Sequence, residues 1–399
     1  MTRARDFCAE KAMEHVRVLA GEIGARGSCT DAEQRAAEYA ADTMRALGAR
    51  EVAVERFRAV PGTYRPYAVA FGLALSSTAV AWLWPGRFTL ALAALAHLAA
   101  AWGMIRESDL RASWIRRLLP QATGHNAVGV MPAGGDVRRR AVVCAHLDTH
   151  RTPVFYSSDA WQRLFGLIVT GAFASLVSGI MVYGLGALLD WTWVYWIGLL
   201  TGSVQMVLLA LSIEAEFTPY SPGANDNASG VGVALGLAER LAREPLDRTE
   251  VWLALTDCEE VMAQGMVSFV EAHGAALGSD AVYVILDQVG AGHLTWLSVD
   301  GLILKHETHP LALDLARRAA AALPEIKSEE RPGVAYTDAV VATKRGAPAI
   351  TLSAIPNEGG AGAHWHQVSD GVDVVQRSSL VDACAFAWLV LRETDRMVP

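Results

Sequence analysis

The sequence predicts an α/β fold: a mostly parallel central sheet covered by helices, with two inserted transmembrane helical hairpins. Three observations predict it. Short strand-type runs alternate with amphipathic helical stretches, as in strand–helix–strand units. Only 19% of the 399 residues are charged and 52% are hydrophobic, against about 25% charged in an ordinary soluble domain. That charge deficit is concentrated in four long stretches, paired two by two across minimal loops.

Residues 6–47 have helical periodicity, broken at 21–30 and ended by Gly48, and residues 51–57 alternate as a strand. Residues 67–84 carry no charge; Pro85-Gly86-Arg87 turns the chain into 88–105, where only His97 can ionise. Residues 164–189 and 191–213, split by Asp190, form the second pair. A span needs roughly 20 apolar residues, whereas a buried core helix has about 10–14. The second pair meets that length easily, and the first is shorter but strongly apolar. Each hairpin leaves and returns on one side. The flanks hold Arg56, Arg58, Arg65, Arg106, Arg111, Arg116, Arg117, Arg151 and Arg163, and the tips only Arg87. Positive-inside bias then predicts a four-helix, multi-pass protein of a bacterial inner membrane, with its polar domain in the cytoplasm. Residues 1–11 are polar and show no signal-peptide apolar core.

Beyond the hairpins, 126–131 and 141–145 are short strand-type runs, and 228–243 is an amphipathic helix opened by a Gly/Asn/Asp-rich turn. Strands at 250–256, 281–286 and 348–352 alternate with helices at 262–273, 311–323 and 378–392. The polar domain is therefore expected in three pieces, 1–66, 106–160 and 214–399, around hairpins at 67–105 and 161–213. A net charge of −8 argues against a nucleic-acid partner. Five cysteines without a CxxC pair predict no disulfide framework and a reducing compartment.

In a parallel sheet the active site lies outside the carboxyl ends of the strands. Three predicted strands end in chemistry-bearing residues: 141–145 in His146-Leu147-Asp148, 250–256 in Asp257-Cys258-Glu259-Glu260, and 281–286 in Asp287. Any one of these has a bland reading, since a lone His is usually hydrogen-bonded and an Asp or Glu solvated; their joint occurrence points to a metal. Zinc takes His nitrogen and carboxylate oxygen, and a two-zinc site needs a bridging carboxylate. The loop Ser221-Pro222-Gly223-Ala224-Asn225-Asp226-Asn227-Ala228-Ser229-Gly230, rich in small residues, offers Asp226 for that place. The same turn serves equally as the cap of the helix that follows.

His146-x-Asp148, the Asp226 loop, the Glu259-Glu260 pair, Asp287 after a strand, and His366-Gln-Val-Ser-Asp370 occur in that order. Together they resemble the co-catalytic zinc aminopeptidases, a group that includes bacterial leucyl aminopeptidases and has glutamate carboxypeptidase and glutaminyl cyclase as relatives. Gly24-Ala25-Arg26-Gly27-Ser28 and His125-Asn126 onward are also similar, and the likeness covers about two-thirds of the chain. It implies two zinc ions, one held by His146 and Asp287, the other by Glu260 and His366, with Asp226 bridging. Cobalt or manganese would suit the same ligands. It further implies Glu259 as general base, Asp148 as acceptor from the His146 ring, and a cis Asp226–Asn227 peptide. Thr337-Asp338-Ala339 departs from the Ser-Asp-His common in the group. Tyr336 is either an oxyanion donor or a packing residue. His364 rivals His366 as ligand, Asp370 favouring the latter by its interval. Cys258 reads as a packing thiol.

The implied activity is release of an N-terminal amino acid from a peptide. The second hairpin lies between His146 and Asp226, which motivates an amphipathic or lipid-linked amide substrate met at a lipid bilayer; a soluble peptide is equally allowed. The rivals are an N-acyl amidohydrolase on the same metals, a single-zinc cyclase-like acyltransferase, and a non-catalytic receptor or scaffold. The presence of both His146 and Asp287 disfavours the cyclase, and the completeness of the ligand set disfavours the scaffold. Oligomeric state is not legible.

Overall fold

A computed structural model describes residues 2–356 and 362–397. The chain divides into two compact units, one of Met1–Pro61, Gln121–His150 and Tyr220–Pro399, the other of Gly62–Pro120 and Arg151–Pro219. The second takes in more chain than the apolar runs alone, because the polar segments flanking each run fold with them.

The first unit is built on nine strands among the described residues: β1 Arg50–Ala59, β2 Ala122–Met131, β3 Arg139–His146, β4 Thr249–Thr256, β5 Val282–Leu286, β6 His293–Asp300, β7 His306–Glu307, β8 Ser328–Pro332 and β9 Ala349–Ile355. They form one sheet in the order β1-β2-β4-β3-β5-β9-β6-β7, with β8 beside β6. The expectation of a mostly parallel sheet needs correcting. The centre, β4-β3-β5-β9, is parallel, but β1/β2, β2/β4, β6/β9 and β6/β7 are antiparallel. The cause is connectivity. A parallel neighbour requires a crossover, usually a helix, and β6 follows β5 after a short loop with no helix between. The pieces β6 to β8 escaped sequence reading because they are short and only partly apolar.

Residues Ala141–Cys144 of β3 and all of β5 are buried on both faces, as central parallel strands require. The helices Thr2–Val16, Ser229–Arg243 and Arg377–Arg396 pack on one another. Gly232 and Gly236 make this possible: a Cβ there would lie 2.5 Å from the Ala12 carbonyl oxygen and 2.7 Å from that of Cys8. The first and last of these helices are joined by a Cys8–Cys384 disulfide, contrary to the expectation of no disulfide. Its partners stand 376 residues apart, so no local spacing could announce it.

The second unit contains four helices long and apolar enough to cross a membrane: Arg65–Leu83, Arg87–Ser108, Ala160–Leu189 and Val194–Phe217. They meet over small residues, with Ala70, Ala74, Ala100, Ala101 and Ala172 in one shared core, as close helix approach without a hydrophobic drive requires. Leu95, Trp102, Leu167, Leu200 and Phe217 face outward. Arg87, the lone basic residue of the tips, donates from Nε to the Ala187 carbonyl at 2.8 Å and from Nη2 to that of Leu188 at 3.1 Å, capping a helix C-terminus.

Candidate metal centre

His146 closes β3, and its register partner Thr256 closes β4. Parallel β5 ends beside them at Leu286, with Asp287 next. The edge therefore gathers His146, the turn after Thr256 and Asp287 by sheet topology alone. The fourth contribution comes from the turn Ala224–Ala228, in which the Asp226–Asn227 peptide is cis. Asp370 holds that turn: its Oδ1 accepts from the Asn225 amide at 2.8 Å and its Oδ2 from the Asp226 amide at 3.0 Å. The interval from His366 to Asp370 thus has a physical meaning. Gly223 enters the turn at φ +61°, and a Cβ on it would lie 2.2 Å from Thr149, so the loop closes only over glycine.

The predicted residues converge. His146 Nε2 lies 3.3 Å from Asp226 Oδ1 and 3.9 Å from Asp287 Oδ1. His366 Nε2 lies 3.3 Å from Asp226 Oδ2 and 3.2 Å from Glu260 Oε2. The two imidazoles thus face opposite oxygens of one carboxylate. Ligands bonded to zinc at about 2.1 Å with tetrahedral angles stand about 3.4 Å from one another, which is the spacing seen. Asp226 Oδ2 and Asp287 Oδ1 are buried and meet no hydrogen-bond donor, a costly state unless a cation supplies the partner. The donor set therefore fits metal ions. Glu259 offers an oxygen to the same cluster with His146 and Glu260. His364 is exposed and pairs with Ser369 at 2.7 Å, outside the cluster.

The geometry adds detail to two roles. His146 Nδ1 meets the backbone carbonyl of Asp148 at 3.0 Å, closer than the Asp148 carboxylate at 3.5 Å. Donation to that carbonyl leaves Nε2 as the lone-pair nitrogen facing Asp226. The Asp148 carboxylate also accepts from the amides of Glu259 at 3.1 Å and Glu260 at 3.2 Å, and from Ser28 Oγ at 2.6 Å. Tyr336 is committed to the same turn. Its hydroxyl donates to the Glu259 carbonyl at 3.0 Å and accepts from the Met262 amide at 3.2 Å. Asp338 accepts from Thr256 Oγ1 at 2.7 Å, bracing the end of β4. Cys258 is fully buried, with its Sγ 3.4 Å from that of Cys29.

Electrostatics follow from crowding. Burial pushes the Glu259 carboxyl well above the ordinary range, with Glu260 and Asp287 adding to it against His146. Burial likewise lifts Glu260 to about 7, opposed by His366. Asp226 alone goes the other way: burial opposes its charge, but His146 and His366 outweigh it. Burial would lower His366, yet Glu260 and Asp226 raise it to about 9. This is a site that strongly favours added positive charge.

Two residues of the centre were not singled out by sequence. Arg26 is buried and donates to the carbonyls of Leu19, Gly24, Leu147, Pro222 and Gly223 at 2.8–3.0 Å. It ties the segment before Asp148 to the turn before Asp226. His150 is buried and stacks on His366, with ring centroids 3.7 Å apart and planes 11° from parallel. Arg26 had a signal in its glycine-flanked motif; His150 had none beyond its closeness to His146.

Residues 210–391 match peptidase family M28. That match covers under half of the chain. The match includes Asp226, Glu259, Glu260, Asp287 and His366, while His146 and Asp148 precede it. The match supports a hydrolase of the peptidase class. No curated protein matches the chain. Solved structures share the fold. A zinc aminopeptidase from Bacillus subtilis is 16% identical, with a TM-score of 0.58 over 97% of this chain and 95% of that one. A Bacteroides thetaiotaomicron glutaminyl cyclase is 15% identical, with 0.57 over 97% and 98%. A Zn-dependent exopeptidase from Parabacteroides distasonis is 14% identical, with 0.57 over 98% and 99%.

Proposed function

We propose that the chain is a membrane-anchored exopeptidase of the aminopeptidase type, as its M28 match suggests, working with two zinc ions. The observation that carries this is Asp226 presenting one oxygen to His146 and the other to His366. His146 and Asp287 would hold one ion, Glu260 and His366 the other, with Asp226 shared. When bound, the ions supply polarisation of the scissile carbonyl and a water acidic enough to react at neutral pH. Glu259 takes a proton from the attacking water at its carboxylate and returns it to the leaving amine. Asp148 fixes the turn on which Glu259 and Glu260 point their separate ways.

The four apolar helices support insertion of the second unit as two hairpins in a bacterial inner membrane. The flanking arginines support a cytoplasmic face for the catalytic unit, against the oxidising side that its Cys8–Cys384 disulfide favours. Substrates would be peptides or amphipathic amides with a free α-amine.

Elemental analysis of the full chain in detergent tests the reading, with aminoacyl and N-acyl amides compared as substrates. Two zinc ions in the wild type, their loss in Asp226→Ala and a free-amine requirement are expected. Hydrolysis of N-acyl amides alone would move the assignment to an amidohydrolase, and a single ion would favour a cyclase-like site. A folded chain that holds no zinc would sink the enzyme reading.

A further inference from the structure

We infer that His150 is a positioning residue for His366, and through it for the ion that His366 and Glu260 would hold. The inference rests on the two-ion reading above. A metal bound through an imidazole nitrogen lies in the plane of that ring. His150 lies parallel to His366, with centroids 3.7 Å apart and planes 11° from parallel. It therefore offers that ion its ring face, not a nitrogen lone pair. A His150 nitrogen comes within 4.8 Å of the ligand atoms of Glu260 and His366, but the stacked orientation makes it a support and not a further ligand.

His366 needs that support. Its backbone is left-handed at φ +55°, a region uncommon outside glycine that His enters more readily than most residues. Trp365 approaches the His366 ring at 4.7 Å with planes 42° apart, and His150 covers it face to face. Rotation of the ring would turn Nε2 away from Asp226 and Glu260. The stack also has a backbone frame of its own. The Ser221 amide donates to the His150 carbonyl at 2.8 Å, and the Ser221 hydroxyl donates to the Gln367 carbonyl at 2.9 Å. One serine thus ties the main chain of His150 to the residue after His366. Among the described residues no aromatic ring stacks on His146, whose Nδ1 is fixed by the Asp148 carbonyl. Loss of the stack should therefore weaken one ion and spare the other.

The test uses the full chain in detergent, titrated with zinc against a chelator, for wild type, His150→Ala and His150→Phe. Partners that orient a metal ligand typically change affinity 10–100-fold when removed. His150→Ala should keep one ion at wild-type affinity and bind the other about tenfold or more weakly. His150→Phe keeps a ring without a nitrogen and should restore the weakened ion to within a few-fold. Melting of the metal-free proteins should coincide, separating a metal effect from a folding one. Wild-type affinity for both ions in His150→Ala would overturn the inference and leave the two-ion reading intact. Equal weakening in Phe and Ala would also overturn it, since the nitrogen would then be what matters. A wild type that binds no zinc would bring down the two-ion reading, and this inference with it.

Discussion

The α/β unit and the four-helix unit bury polar side chains in different ways. In the α/β unit Asp226, Glu259, Glu260 and Asp287 crowd around His146 and His366 at one sheet edge, all nearly out of reach of water. Oxygens of Asp226 and Asp287 meet no donor there. In the helical unit the buried acids Glu107 and Asp109 are paired with Arg116 and Arg111, and neutral groups bond to one another or to the backbone. Tyr183 donates to Thr78 at 2.9 Å, Gln205 to the Ser175 carbonyl at 3.3 Å, and Ser175 Oγ to the Ala172 carbonyl at 2.8 Å. Its outer surface is apolar: Leu200 is 68% and Phe217 84% exposed. Acids crowded on two shared imidazoles leave room for a bound cation, whereas acids each paired with an arginine and neutral groups bonded to one another need no ligand and serve to set how helices meet.

The largest effect that sharpens this contrast is catalytic. Glu259→Gln keeps the shape of the side chain and removes its ability to take a proton. Peptide hydrolysis should fall by about 10²–10⁴-fold with zinc content unchanged, as for loss of a general base. Simultaneous loss of zinc would make Glu259 a ligand and redraw the cluster. Next is Arg26, whose guanidinium serves backbone carbonyls and not a carboxylate partner. Arg26→Met should leave several buried carbonyls without donors, at about 1–3 kcal/mol each. A melting temperature within a degree of wild type would show that the α/β unit tolerates unsatisfied carbonyls as it does its acidic edge.

The ligand set was legible because each member ends a strand or sits in a loop of small residues, and such positions are fixed by the order of strands and helices. What escaped depends on contacts between distant segments. His150 acts through a stack on a residue more than two hundred positions away, and a stacked ring leaves no spacing to read. Asp148 was read as a partner of the His146 ring; its carboxylate stands 3.5 Å from that ring and also serves the Glu259 and Glu260 amides. Sequence order offered no sign of this second task, because the amides it serves lie on a strand end more than a hundred residues away. The antiparallel flanks of the sheet were missed for a related reason: strand direction depends on whether a crossover intervenes, and β6 to β8 carry too few apolar residues to mark the connections.

The outer surfaces allow a matched pair of substitutions. Leu200 is on the Val194–Phe217 helix and Leu304 in the α/β unit, 68% and 45% exposed. Arginine at the centre of a membrane helix costs roughly 2.5–3.5 kcal/mol of insertion, whereas a surface change elsewhere is usually within about 0.5 kcal/mol. Leu200→Arg should lower the membrane-inserted fraction in a glycosylation-site or protease-protection assay, and Leu304→Arg should not. Equal indifference at both sites would mean that the apolar face of the helical unit does not meet lipid.

The smallest effect separates a buried acid at the edge of the centre from those inside it. Burial pushes the Glu33 carboxyl up to about 9, with Asp257 pulling the other way through a hydrogen bond. In the unfolded chain the group titrates near 4.3. Between those values the folded state holds a proton that the unfolded state lacks, so stability falls as pH rises through that window. The Glu33 contribution is complete below about pH 4.3 and gone above pH 9. Glu33→Gln carries the neutral shape permanently and has no proton to lose. Between pH 6 and pH 9 its melting temperature should therefore fall less than that of the wild type, with zinc content the same in both. Parallel curves would place the Glu33 proton affinity near the ordinary carboxylate value and show that the acid is ionised beside His125, which it meets at 3.1 Å.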